Sequence, residues 1–344
     1  MKLWQKEKSL WYALHPEKIP ASGARLTYTF GLGGIAVFAT LVTLLTGLAL
    51  TFYYIPTPEG AHDSIVLLND VVSFGAVLRG LHYWGAQLMV VAATLHLGRV
   101  VFTGGYRPPR ELNWLIGLGL IVLTLIWDFT GYVLRWDEGA YWAFLVGTNL
   151  FREIPLWGES LYRMLVGDVQ IGASGLLRFY GWHVVGLTAI SVFGIIYHLW
   201  RLKKDGGISR PLLAPGEIRA FIPKEELFFR EFITAALVSA ALLFLTVLIP
   251  IPVGPSATLN AGAADVRAPW IFLWVQNLLR DLPPLWAGIL VPLSALLALA
   301  LIPFLDRRGP GRAIWFARER WKTQVLLAVL TLGILVLSLR EVLR

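Results

Sequence analysis

Residues 79–99 read RGLHYWGAQLMVVAATLHLGR, and residues 179–201 read FYGWHVVGLTAISVFGIIYHLWR. Each stretch is apolar for the length of a membrane span, about 20 residues. The first carries His82 and His96, the second His183 and His198, fourteen and fifteen residues apart. On an α-helix, fourteen residues return to within about 40° of the starting direction, and fifteen to within about 60°. Both histidines of a helix therefore look out of roughly one side, about 21 Å apart along the axis. Two such helices side by side make two facing His–His pairs, one above the other. Ionisable groups in a span are costly and usually functional. Bis-imidazole ligation of two hemes is the economical reading. The bland alternative, four polar packing residues, leaves the matched spacing to coincidence.

The chain has 344 residues, 56% hydrophobic and 15% charged, far from an average soluble domain. Runs without charge cover 26–58, 80–98, 112–127, 179–200, 232–264, 282–305 and 323–339. The two shortest extend through a flanking charge, so the expectation is an all-α, polytopic membrane protein with seven transmembrane helices. The net charge of +8 could suggest nucleic acid, but its distribution excludes that. With the N-terminus in the cytoplasm, 21 of the 30 Lys and Arg fall in cytoplasmic segments, and residues 55–72 hold none. This is the positive-inside bias, and seven crossings put the C-terminus outside. Residues 1–25 open with no apolar core long enough for a cleavable signal. They read as an amphipathic segment on the cytoplasmic surface, with Leu3, Trp4, Leu10, Trp11 and Leu14 between lysines. The chain has no cysteine, which excludes an iron–sulfur cluster on its own thiolates and a thioether-attached heme.

Gly33 and Gly47 in the first span, and Gly117 and Gly131 in the third, are also fourteen apart. A glycine in a membrane helix is ordinarily a packing device. The shared interval points further, to a side-chain-free wall at the height of each heme. Segment 135–178 is too long for a turn and reads as two short surface helices, a candidate binding loop. Segment 211–230 is a linker between a four-helix part, 26–210, and a three-helix part, 231–344. The stretch APWIFLWVQNLLR, 268–280, is another short helix.

These motifs resemble the cytochrome b subunit of the bc and b6f quinol-oxidising complexes. The histidine pairs, the glycine ladder, TGLALTFYY (46–54), TGGYRPPREL (103–112), GYVLRWDEGAYWA (131–143) and IPLWG (154–158) carry the likeness. The four-plus-three layout and the fifteen-residue gap resemble the b6-type branch fused to a subunit-IV-like part. The resemblance implies two hemes b, with His82 and His183 ligating the outer iron and His96 and His198 the inner. Arg79 and Arg99 would meet heme propionates, unless they snorkel to the interface. It also implies an outer quinol pocket involving Tyr132, Glu138, Trp142, Pro269 and Trp270, and an inner quinone site near Arg201 and Lys203. The implied activity is a quinol:cytochrome c or plastocyanin-type oxidoreductase subunit. Quinol electrons would bifurcate to a Rieske iron–sulfur partner and across the membrane, coupled to proton translocation. Implied partners are the Rieske protein, a c-type cytochrome or similar acceptor, quinone, membrane lipid and a second copy of the chain, in a bacterial-type cytoplasmic membrane. Two alternatives compete. One is a di-heme, quinone-reactive anchor of a dehydrogenase or hydrogenase, usually with fewer helices. The other is a heme-free transporter.

Three positions depart from the pattern. Gly31 stands where the b6-type branch tethers an extra heme through cysteine. Arg135 replaces a proline. The outer-pocket Pro-Glu-Trp-Tyr reads Ala268-Pro269-Trp270-Ile271, so its proton-accepting glutamate is missing. Asp128, in an otherwise apolar span, is the first substitute to consider, with Glu138, Asp137 and Asp265 as alternatives. Asp128 could instead pair with Arg135.

Overall fold

The computed structural model describes residues 18–210, 220–257, 266–307 and 313–344. Residues 1–17, Asp265 and most of the linker lie outside that set. Seven described helices are long and apolar enough to cross a membrane. In chain order the helices are α1 Leu32–Leu50, α2 Ala61–Asp70, α3 Gly75–Thr103, α4 Glu111–Val133, α5 Glu138–Arg152, α6 Gly158–Val166 and α7 Ala173–Lys204. After the linker come α8 Lys224–Leu248, α9 Leu273–Asp281, α10 Leu285–Leu305 and α11 Trp321–Val342. The spans are α1, α3, α4, α7, α8, α10 and α11. The outward faces of the spans are apolar; Leu45, Val185, Phe193 and Leu297 are all exposed there, as a helix facing lipid requires.

Local chemistry sets most boundaries. The first span starts at Leu32 rather than near residue 26, because Phe30 (φ 50°) and Gly31 (φ 64°) are left-handed and break the helix after a single turn. Helix α3 stops at Gly104, a left-handed C-terminal residue (φ 64°). The uncharged run 232–264 does not stay helical to its end. Helix α8 finishes at Leu248, just before Pro250 and Pro252, which lack the amide a helix needs. Asp137 caps α5, accepting from the Ala140 amide at 2.8 Å. Helix α2 was not expected. It is too short to register as a span, yet it buries Ala61, Ile65 and Leu68.

Helix α1 packs along α3, and α4 packs along α7; α3 and α4 join the two pairs. The three later spans pack outside this bundle, α8 on α1 and α3, α10 on α4, and α11 on α3. A two-stranded antiparallel ribbon, β1 Lys18–Pro20 with β2 Phe221–Pro223, ties the two parts together at one end.

A polar knot joins the α3–α4 turn to α10 and α11. Arg107 donates to Asp306 at 2.5 Å, Tyr106 donates to the same carboxylate, and Thr323 lies 3.2 Å from the phenol oxygen. Burial, with the Asp306 hydrogen bond, pushes the Tyr106 phenol up to about 12. Arg320, fully buried, donates to the α3 carbonyls of Val101 at 3.0 Å and Phe102 at 3.1 Å, and also to Ile314. Removing one partner of a buried ion pair strands the other. Asp306→Ala is therefore expected to cost about 3–5 kcal/mol, read as a drop in unfolding midpoint in detergent. A midpoint unchanged from wild type would show that Arg107 does not depend on this carboxylate.

Candidate functional site

The two histidine-bearing spans meet inside the four-helix part. The rings of His82 on α3 and His183 on α7 face each other with centroids 6.2 Å apart. Each is anchored through Nδ1. His82 Nδ1 lies 3.0 Å from the Thr43 carbonyl oxygen and 3.2 Å from Thr46 Oγ1. His183 Nδ1 lies 3.2 Å from the Trp127 carbonyl oxygen and 3.1 Å from Thr130 Oγ1. A ring nitrogen that donates to a carbonyl fixes the tautomer and leaves Nε2 as the ligating atom. In the second layer, His198 Nδ1 is buried and has no hydrogen-bond partner among the described residues.

The glycines face histidines one to one. A methyl carbon added at Gly47 would lie 2.9 Å from His82 Cε1, at Gly131 2.6 Å from His183 Cε1, at Gly117 3.1 Å from His198 Cε1, and at Gly33 3.2 Å from His96 Cε1. The ladder therefore lets each imidazole edge approach a neighbouring helix. The carbonyls that meet Nδ1 in the His82–His183 layer belong to residues four before the facing glycine: Thr43 for Gly47 and Trp127 for Gly131.

The unequal histidine spacings are reconciled within α7. Its backbone opens into a π turn over Trp182–Gly186, which contains His183. Such a turn takes in one extra residue and leaves the flanking α-helix in phase. Fifteen residues on α7 thus do the angular work of fourteen on α3.

Two imidazoles bonded at about 2 Å to one metal atom between them bring their ring centres to about 6 Å. The His82–His183 separation fits that arrangement. In the other layer, Arg99 is buried, sits over the Tyr28 ring at 4.4 Å and donates to the Tyr28 carbonyl at 3.4 Å. Its Nη2 has no hydrogen-bond partner among the described residues, which leaves a cation with a donor to spare for an anionic group. Arg79 differs: its two terminal nitrogens donate to the carbonyls of Ile251 at 2.9 Å and Pro252 at 3.2 Å.

Segment 251–257 is fixed on several sides. Arg79 holds its start, and His62 Nε2 lies 2.9 Å from the Gly254 carbonyl oxygen. Asp137 accepts from the Gly254 amide at 3.2 Å and from Arg135 at 3.0 Å. The Glu138 amide donates to Pro255 at 2.9 Å. The Arg135 guanidinium also lies 4.2 Å from the Tyr132 ring. The expected alternative of an Asp128–Arg135 pair is not what forms; Arg135 goes to Asp137. Asp128 instead accepts from Gln87 Nε2 at 3.2 Å, and Gln87 Oε1 accepts from Trp270 Nε1 at 2.5 Å. Pro269 and Trp270 open a short turn leading into α9, with Phe272 edge-on to Phe129 of α4 at 5.8 Å. Trp142 lies on α5 edge-on to Tyr141. At the far end of α7, Arg201 is paired with the buried Asp205 at 3.0 Å.

Sequence reading missed Thr43, Thr46, Trp127, Thr130 and Gln87. The signal for two of them was present. The dipeptide Thr-Gly occurs at 46–47 and at 130–131, at the two glycines facing the His82–His183 pair.

Paired histidines on two spans, each backed by a glycine-bearing span, define a membrane-embedded, heme-holding helical bundle. The profile described as Cytochrome b/b6/petB matches residues 18–206, and that described as Cytochrome b(C-terminal)/b6/petD matches 257–341. The chain belongs to the cytochrome b family, and heme b binding and a multi-pass membrane location come with that membership. It is similar to cytochrome b6 of Heliomicrobium gestii, 39% identical over 193 residues, 56% of this chain and 90% of the relative. It is also similar to the menaquinol:cytochrome c reductase cytochrome b subunit of Geobacillus thermodenitrificans, 37% identical over 198 residues, 57% and 88%. A solved structure titled Hyperthermophilic respiratory Complex III shares the fold. Its TM-score is 0.83 at 22% identity, over 98% of this chain and 90% of that one.

Proposed function

We propose that this chain is the di-heme cytochrome b subunit of a quinol:cytochrome c, or plastocyanin-type, oxidoreductase. The observation that carries the proposal is the His82–His183 pair, ring centres 6.2 Å apart with both Nδ1 atoms tied to backbone carbonyls. Two bound hemes supply one-electron carriers that link the two faces of the membrane. The chain's own residues do the rest. His82 with His183, and His96 with His198, hold the irons. Thr43, Thr46, Trp127 and Thr130 set ring orientation at the outer level, and Arg99 offers a donor to an inner propionate. Arg79 serves the outer level by fixing segment 251–257.

The outer quinol pocket is assigned to Tyr132, Glu138, Trp142, Pro269 and Trp270, a reading supported by the edge-on contact of Phe272 with Phe129 of α4. Quinol oxidised there gives one electron to a Rieske-type partner and one to the heme path. The inner quinone site is assigned to the α7 end around Arg201 and Lys203, where Arg201 works as a cation already paired to Asp205. Charge asymmetry supports a cytoplasmic N-terminus and an outer C-terminus. Seven spans and the fixed segment 251–257 favour this reading over a dehydrogenase anchor.

The test is purification of the intact complex through this chain. A Rieske protein and a c-type cytochrome or equivalent are expected to co-purify, with quinol-dependent reduction of the acceptor. The denatured chain is expected to carry no covalent heme, and the particle mass to include two copies. Recovery of a dehydrogenase or hydrogenase without a Rieske protein would overturn the proposal.

A further inference from the structure

We propose that Asp128 is the proton acceptor of the outer quinol pocket and that Gln87 is its positioning residue, held in register by Trp270. The proposal rests on the outer-pocket reading given above. Oxidising a hydroquinone to a quinone releases two protons, and an acceptor has to stand within hydrogen-bond reach or one water away. Pro269 offers no side-chain base.

The hydrogen bonds have a direction that the residue types fix. An indole N–H only donates. Trp270 Nε1, 2.5 Å from Gln87, therefore requires the amide oxygen on its side. The amide NH2 of Gln87 is then forced toward Asp128, and Asp128 Oδ1 has to accept at 3.2 Å. A side-chain amide whose orientation is normally ambiguous is oriented here by a donor that cannot reverse. Oδ1 can accept from Gln87 whether the carboxyl group is ionised or protonated. The proton can therefore arrive at Oδ2 and leave again with the chain intact. Among the described residues Oδ2 has no hydrogen-bond partner. Asp128 and Gln87 are only partly buried, and Trp270 is half exposed, so the strip is open to a small molecule.

Three outer carboxylates are committed elsewhere, while the Glu138 carboxylate remains the alternative acceptor, which Glu138→Gln tests beside Asp128→Asn. Asp137 is buried under Arg135, the Gly254 amide and the Ala140 amide. Glu341 takes Arg280 at 2.5 Å and Asn277 at 3.0 Å. Glu159 takes Arg152 and Arg163. Around Asp128, α3 presents Tyr83, whose field it shares with Arg79 and Arg135. Helix α4 itself adds Tyr132, α7 brings His183 turned to Gly131, and α10 brings no charged side chain. Among the described residues no cation is paired with the carboxyl.

In the step itself, a hydroquinone O–H bond breaks and an O–H bond forms at Asp128 Oδ2, leaving a neutral carboxylic acid. The electron passes to the one-electron, iron–sulfur-class acceptor of the partner subunit. The acid then loses its proton to outer water, and the carboxylate takes the second proton as the second electron leaves to the heme-class, one-electron path described above.

The experiment uses the intact complex, a short-chain naphthoquinol and the reduced-minus-oxidised heme spectrum. Asp128→Asn is expected to keep both hemes and lower quinol turnover by about 100-fold. Part of the rate should return as pH rises and solvent becomes a better acceptor. Asp128→Glu should retain most activity. Gln87→Leu removes a donor that favours the carboxylate, so the acid limb of the rate profile should move to higher pH; a packing role alone would leave it in place. Wild-type turnover at every pH in Asp128→Asn overturns the acceptor, and an unmoved acid limb in Gln87→Leu overturns the positioning role. Where Asp128→Asn loses its hemes, the comparison of Asp128→Glu with Gln87→Leu decides in the same way. A wild-type complex with both hemes that oxidises no quinol sinks the outer-pocket reading instead, and that result is distinct from the other two.

Discussion

Chains carrying His183→Ala are expected to hold one heme fewer than the wild type, for which two are proposed, and His82→Ala is expected to give the same spectrum. On the proposed ligation both rings would hold a single iron, so losing either would remove one protein ligand and empty a space the size of an imidazole. The surviving partner cannot compensate, since its Nδ1 is committed to a backbone carbonyl and its ring cannot turn. His96→Ala and His198→Ala should remove the other heme and spare the first. The measurement is the heme-to-protein ratio of the purified chain, with the reduced-minus-oxidised spectrum distinguishing the two sites. A full complement of two hemes in any of the four variants would refute the pairing. Equal loss of both hemes in all four would point to a folding defect, which the unfolding midpoint would register.

Alanine at each ladder glycine is expected to damage the hemes in a set order, Gly131 worst, then Gly47, Gly117 and Gly33. The added methyl would lie 2.6, 2.9, 3.1 and 3.2 Å from the facing imidazole carbon. Below 3 Å something has to move, and the ring at Gly131 is held by Trp127, Thr130 and the α7 backbone. Gly131→Ala should therefore displace His183 and lose most of the outer heme. Gly33→Ala, needing only a few tenths of an ångström, should keep most of the inner one. A small residue accepted equally at all four positions would show that the glycines do not limit the approach of the rings.

The bundle was readable from sequence because its signals are periodic and its chemistry is expensive. A histidine in a span has few inexpensive explanations, and four at helical intervals have fewer. The glycines were readable as a set through their spacing, although the group they face was not; a contact between Gly47 and His82 depends on how two helices pack. Partners far apart in sequence stayed hidden for the same reason. Gln87 and Trp270 are 183 positions apart, and nothing in either neighbourhood announces the other. Asp137 looked like a loop carboxylate, but it caps α5, holds Arg135 and fixes the Gly254 amide. Arg79 likewise spends two donors on the Ile251 and Pro252 carbonyls. Such roles are set by the route of a loop, which local patterning does not encode.

The π turn at Trp182–Gly186 bears on how chains of this kind diverge. An insertion inside a straight α-helix rotates everything beyond it by about 100°, which would swing one histidine out of its layer and forfeit a heme. A widened turn confines that rotation to five residues, so a length change that would ordinarily be lethal becomes neutral there. A cytochrome b with fourteen residues between these ligands would thus superpose on this chain in space while running one step out of register in sequence. The gap between them belongs within 182–186, beside the first ligand, and not in the loops where insertions are usually sought.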